Sequence, residues 1–481
     1  MECFVPQTLP ERFFAALSAI PRLSEYEAAA ADYVVSIAQK LGLRHRRDAM
    51  HNVVVWKNAA PGYESAPEVM LQAHLDMVGV SSSDVDHDFT RDPLTLLVDE
   101  QGKLRARGTT LGADDGYGCA YLLSALEESF PHPSLVCVFT AQEENGCYGA
   151  AALDCSDISV RRMIGLDVMG SDIEYICCVG GYCSDRLILT RECIPAACAD
   201  PALCVDVRGV QPVAVGALVH PEQGNAIKMA ARLLARLRTE GIAFRLAELS
   251  GGTAENYCPV TCQAVITVPD PVAAETALRD EFRLLEAELQ DGSQALALTI
   301  SPAVAECALS EVDSLALADL LDLIPSGTFE ISPSDQKMIA TNNVGLVSLS
   351  GGSFRLIASN RARTLACKDG LNRRVAALAR LTGCTLKVEK RYEPWEYGTD
   401  SPLRAVTASL MQEIYGHEME EFICPGGLEI SDLLPKMPGL DSVMFAPIGG
   451  GSHTTGEWMS LGSFNRTYDF LKALLGRLKD Q

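Results

Sequence analysis

Three short apolar runs constrain this chain more than any other feature. Residues 68–80, 134–141 and 162–168 read as strands and each ends in polar residues, while 11–41 and 113–129 carry apolar residues at helical spacing. Alternation of this kind predicts an α/β domain with a mostly parallel sheet, and such a sheet gathers the ends of its strands along one edge. The polar residues that close the three runs are therefore expected to meet.

The texture changes near residue 186. Strands are predicted over 203–210, 264–268, 295–300 and 345–349, and helices over 223–240, 273–289 and 361–381. After Trp395 the α/β texture returns, with a strand at 441–446, a glycine-rich loop and a helix from Ser463. The organisation expected is one α/β domain made of 1–185 and 395–481, interrupted by an inserted α+β domain over 186–394 built as two similar units.

Composition removes several function classes. With 48% hydrophobic and 21% charged residues, the 481-residue chain is neither disordered nor a coiled coil. Its net charge of −23 repels phosphate backbones and anionic lipid heads, so no nucleic acid and no membrane surface is expected as a partner. No stretch is long and apolar enough to span a bilayer, and the first residues lack a basic, then apolar, leader pattern. A cytoplasmic protein is the expectation. The 17 cysteines are odd in number and scattered through apolar segments, which reads as reduced thiols. Cys177, Cys178 and Cys183 come nearest to a zinc knuckle and are read as small buried hydrophobes.

Chemistry concentrates at the strand ends. His74 and Asp76 lie two apart, on one face of an extended strand, as a ligand and the carboxylate that orients it would. Asp114 and Asp115 sit between glycines just before a helix, Glu143 and Glu144 follow the second run, Asp167 ends the third, and His453 follows Gly449-Gly450-Gly451-Ser452. Each alone has a plain reading as a solvated strand end, a helix cap or a turn. Together, two histidines and three carboxylates at one sheet edge suit a pair of divalent ions with one carboxylate shared between them.

These motifs, Ala73-His74-Leu75-Asp76, Leu111-Gly112-Ala113-Asp114-Asp115-Gly116, Gln142-Glu143-Glu144, Asp167 and Ser452-His453, resemble in order and spacing those of the M20 metallopeptidases of the aminoacyl-histidine dipeptidase (Xaa-His dipeptidase, bacterial carnosinase) type. The similarity continues through Gly224-Asn225-Ala226, Gly251-Gly252-Thr253, Asn256 and Gly427-Leu428-Glu429. The resemblance implies a catalytic domain interrupted by a lid domain and a di-zinc site, with manganese or cobalt as possible substitutes. Asp114 would bridge the ions, His74 and Asp167 would complete one, and Glu144 and His453 the other. It further implies that a metal-bridged water attacks the peptide bond with Glu143 as general base and that Asp76 orients His74. The oligomeric state is left open by the sequence, with a homodimer as one expectation. His220, Asn256, Arg361 and Glu429 are the candidate substrate contacts.

The middle region departs from the family. Where relatives carry a histidine in Gly-Gly-His-Ser-Gly, this chain reads Gln211-Pro212-Val213-Ala214-Val215-Gly216, so the lid histidine falls on Ala214; a lid arginine falls on Ala358, near Arg361; and Cys424 precedes Pro425-Gly426-Gly427-Leu428-Glu429 where relatives have a histidine. Hydrolysis of dipeptides, Xaa-His or of broad specificity, is the leading expectation. An amidohydrolase of N-acyl amino acids or unusual dipeptides is the alternative, and a peptide-binding paralogue without turnover comes third. Glu143 argues against the last, because a pure binder has no use for a free base.

Overall fold

The structure is a computed structural model that describes residues 1–168, 174–210, 224–255, 257–289, 296–332, 338–398 and 400–479. It divides into two compact units, one made of Met1–Gly181, Trp395–Cys424 and Leu428–Gln481, the other of Tyr182–Pro394 with Pro425–Gly427. Each unit has its own apolar core.

The first unit is built on helices α1 (Leu9–Ser18), α2 (Ala28–Lys40), α3 (Ala113–Glu127), α4 (Pro402–Tyr415) and α5 (Leu461–Arg477), and on strands β1 (Arg44–Arg47), β2 (Val53–Lys57), β3 (Val69–His74), β4 (Leu135–Thr140), β5 (Arg162–Gly165), β6 (Ile176–Gly181), β7 (Glu420–Cys424) and β8 (Asp441–Met444). The strands form one eight-stranded sheet in the order β1-β2-β4-β3-β5-β8-β6-β7. β4, β3, β5 and β8 run parallel, β1 and β2 join antiparallel on one side, and the parallel pair β6 and β7 joins on the other through an antiparallel bridge to β8. The central strands β3 and β4 are buried along their whole length, as continuous apolar runs covered on both faces should be.

Local sequence explains the helix ends. α1 starts at a capping box, with the Thr8 hydroxyl accepting from the Glu11 amide, Glu11 reaching back, and Pro10 in the first turn. α4 starts at Ser401 with Pro402 as its first residue and stops at Gly416, whose φ of 80° suits glycine. α3 is buried nearly all round, so it shows little amphipathic pattern.

The second unit carries a nine-stranded sheet in which every pairing is antiparallel. Helices Ala226–Thr239, Pro271–Glu288, Glu311–Leu323 and Leu365–Leu381 supply the other half of its core. The helix predicted from Arg361 begins later: Ser353–Ala362 is a strand, and Thr364, whose hydroxyl accepts from the Cys367 amide, caps the helix. Cys177, Cys178 and Cys183 are free and buried. Among the described residues, no helix is long and apolar enough to cross a membrane.

Candidate metal centre

The parallel register does what the strand pattern predicts. His74, the last residue of β3, lies opposite Thr140, the last of β4, so the chain beyond each strand leaves the sheet side by side. Glu143 and Glu144 follow β4, Asp167 follows β5, Asp114 stands in the first turn of α3, and His453 follows β8 at a φ of 64°.

Asp114 lies between the two imidazoles. Its Oδ1 is 3.3 Å from His74 Nε2 and its Oδ2 is 3.6 Å from His453 Nε2. Asp167 Oδ1 lies 3.7 Å from the same His74 nitrogen, and Glu144 Oε2 lies 2.8 Å from His453 Nε2. Among the described residues the donor atoms fall into three overlapping groups, His74 with Asp114 and Asp167, Asp114 with Glu144 and His453, and His74 with Glu143 and Glu144, each gathered within 4.8 Å. His74 is fully buried, whereas the His453 side chain is 46% exposed, so the site opens to solvent on the His453 side.

The surrounding groups hold these donors in place. Asp76 accepts from the Glu143 amide at 3.0 Å, the Glu144 amide at 3.1 Å and the Ser24 hydroxyl at 2.7 Å, and its Oδ1 is 3.5 Å from His74 Nδ1. The Asp76 carboxylate thus fixes the glutamate pair, while its main-chain carbonyl, 3.2 Å from His74 Nδ1, holds the imidazole. Asp115 turns inward instead, accepting from the His74 amide at 3.1 Å and the Gly118 amide at 3.2 Å. Arg22, buried and unnoticed in the sequence, donates to the carbonyls of Leu75 at 2.9 Å, Asp76 at 3.0 Å and Gly112. Glu457, also unnoticed, takes the amides of the Asp114 loop. Neither carried a sequence signal, because both act on backbone groups remote in the chain.

Electrostatics make the cluster receptive to positive charge. Burial alone would lower the His74 pKa, but Asp167, Asp114 and Asp76 outweigh it and hold it well above the usual value. The carboxylates Asp114 and Glu144 push His453 up to about 11. Burial, with Asp114 beside it, lifts Glu144 to about 7, and burial with the Asp167 charge lifts Glu143 well above the carboxylate range. Burial would raise Asp114 too, yet the two histidines beside it hold it far below. Two imidazoles and three carboxylates converging on small volumes are a donor set that zinc, manganese or cobalt accepts.

The candidate substrate contacts are placed differently. Glu429 is buried, 1% exposed, at the end of the sheet, where it accepts from the Thr140 hydroxyl at 2.6 Å and from the Gln72 amide. Arg361, in the second unit, donates to the Pro425 carbonyl at 2.7 Å. His220, Asn256 and Ala214 lie outside the described residues.

Residues 70–477 match the family described as peptidase family M20/M25/M40. The chain is 30% identical over 476 residues to the cytosol non-specific dipeptidase of Escherichia coli (strain K12), covering 98% of this chain and 97% of that one. The solved structure of aminoacylhistidine dipeptidase from Vibrio alginolyticus superimposes with a TM-score of 0.85 at 26% identity, over 97% of this chain and 96% of that one. Human carnosine dipeptidase 1 shares the fold, with a TM-score of 0.53 at 12% identity over 99% of this chain and 100% of its own. The chain belongs to peptidase family M20/M25/M40, and with it to the metal-dependent hydrolases.

Proposed function

We propose that the protein is a di-zinc dipeptidase, with the first unit as catalytic domain and the second as lid. The observation that carries this reading is the Asp114 carboxylate, each of whose oxygens faces a different histidine. His74 and Asp167 would hold one ion, Glu144 and His453 the other, and Asp114 would be shared. Bound divalent cations supply Lewis-acid polarisation of the scissile carbonyl and lower the pKa of water.

The chain's own residues do the rest. Glu143, adjacent to a ligand and held through its amide by Asp76, takes the proton of the attacking water on a carboxylate oxygen. As the new carbon–oxygen bond forms and the carbon–nitrogen bond breaks, Glu143 delivers that proton to the leaving amine. Asp76 keeps His74 in one ring orientation. Glu429, enclosed by Thr140 and Gln72, supports the ends of β3 and β4. His220, Asn256, Arg361 and Glu429 are the proposed substrate contacts.

Similarity to a non-specific dipeptidase and to an aminoacylhistidine dipeptidase favours short peptides as substrates. The Ala214 side chain offers no hydrogen-bond donor where the family resemblance places a lid histidine. Losing one donor to the developing oxyanion costs on the order of 100- to 1000-fold in rate. Broad dipeptide hydrolysis with poor turnover of carnosine is therefore expected, improved by Ala214→His. A panel of plain dipeptides, carnosine and N-acyl amino acids, assayed with zinc, manganese and cobalt beside metal analysis, tests the reading. Two ions per chain and plain dipeptides as the best substrates are expected. A stoichiometry that stays at one under excess zinc, or a preference for N-acyl amino acids, would overturn it.

A further inference from the structure

A single buried carboxylate ties the His453 segment to the Asp114 loop. Glu457 is 2% exposed, and both of its oxygens are engaged by backbone amides. Oε2 accepts from Leu111 at 2.7 Å and Gly112 at 3.0 Å, and Oε1 accepts from Ala113 at 2.9 Å and Asp114 at 3.4 Å. Leu111 and Gly112 precede α3, and Asp114 and Asp115 depart from helical dihedrals at its start, so no intrahelical carbonyl takes these N–H groups. The capping position is Gly112, which has no side chain to offer. The cap comes instead from a residue 343 positions away in sequence from Asp114.

The loop is gripped from its other side as well. The Arg22 guanidinium donates to the Gly112 carbonyl and to Leu75 and Asp76 at the end of β3. Glu457 is itself anchored: its amide donates to the Thr454 carbonyl at 3.1 Å, and the strand Trp458–Ser460 that follows pairs with Lys103–Ala106. A cap serving helix stability alone could come from anywhere. This one arrives from the turn that carries His453, so it joins the two chain segments that supply Asp114 and His453.

We propose that Glu457 is a positioning residue: by clamping the four amides from Leu111 to Asp114 it sets Asp114 against His453 before any cation arrives. This rests on the reading of Asp114 and His453 as metal ligands.

Cobalt(II) titration of the metal-stripped full chain, followed by visible absorption, tests it. Glu457→Gln places an amide NH2 where the loop needs an acceptor, and it should bind cobalt about 10- to 100-fold more weakly than the native protein. Glu128→Gln, a carboxylate bonded to Tyr468 and Lys472, should bind as the native protein does. Equal cobalt affinity in Glu457→Gln and the native protein overturns the proposal. A native protein that takes up no cobalt overturns the metal-centre reading instead. Where Glu457→Gln does not fold, hydrogen exchange of the native protein decides. The amides of 111–114 should be protected in the metal-stripped state. Exchange that stays fast until cobalt is added would show that the cation, not Glu457, organises the loop.

Discussion

Glu143 and Glu144 are neighbours in sequence with opposite partners. Glu144 lies 2.8 Å from His453, while Glu143 accepts a weak bond from the Cys147 thiol at 3.4 Å and, among the described residues, meets a histidine only in the wider 4.8 Å grouping with His74. Glu143→Gln should therefore lower kcat by at least 100-fold and leave metal content unchanged, because the amide keeps the shape but cannot accept a proton. Glu144→Gln should lose metal instead. Metal analysis of both purified variants beside their turnover numbers checks the division, and the reverse pattern would refute it. At this scale the sequence was informative where a residue stands alone at the end of an apolar run, as His74 and Asp167 do. It was silent for Arg22 and Glu457, whose partners are backbone groups brought near only by the fold.

Lys228 shows how one side chain can join two elements. From the helix Ala226–Thr239 its ammonium donates to the carbonyls of Leu321 at 2.6 Å, Asp322 at 2.6 Å and Ile324 at 2.8 Å, where the helix Glu311–Leu323 ends and its last carbonyls lack partners. Lys228→Met should destabilise the second unit by about 1–3 kcal/mol. Burial lowers the Lys228 pKa from 10.5 to about 8. Between those two values the unfolded chain binds a proton that the folded protein releases, so this group adds stability as pH rises from about 8 to 10.5. Denaturant melts at pH 8 and pH 10 should show that gain in the native protein and its loss in Lys228→Met.

Other elements were hidden for physical reasons. The strand Cys183–Glu192 escapes an alternation test because Asp185 is buried in it, held by Lys368 at 3.0 Å and Asn372 at 2.6 Å. The run 68–80 read as one strand stops at His74, beyond which the Arg22 guanidinium takes the carbonyls of Leu75 and Asp76. Thr364 was the available signal that the helix predicted from Arg361 starts late.

Across the whole molecule, the clustered carboxylates of the first unit belong to a chain whose net charge is −23. Cations that bind the folded state stabilise it by mass action, by about 2.7 kcal/mol at a free concentration 100 times Kd. Calorimetry should therefore show that EDTA lowers the Tm of the transition involving the first unit, and that added zinc restores it. An unchanged Tm would mean that the donor groups bind no cation tightly. Because the two units have separate cores, the transition of the second should respond less.

The strand order carries a consequence for synthesis. β8 sits between β5 and β6, yet it is translated only after the entire inserted unit has left the ribosome. At about 5–20 residues per second the stretch 182–394 occupies roughly 10–40 s. Throughout that interval β5, whose Met163 and Ile164 are fully buried in the finished protein, waits with one flank open. The inserted unit thus acts as a clock: its length fixes how long a nascent chain stays open to misassociation, and slow codons within 182–394 lengthen the exposure.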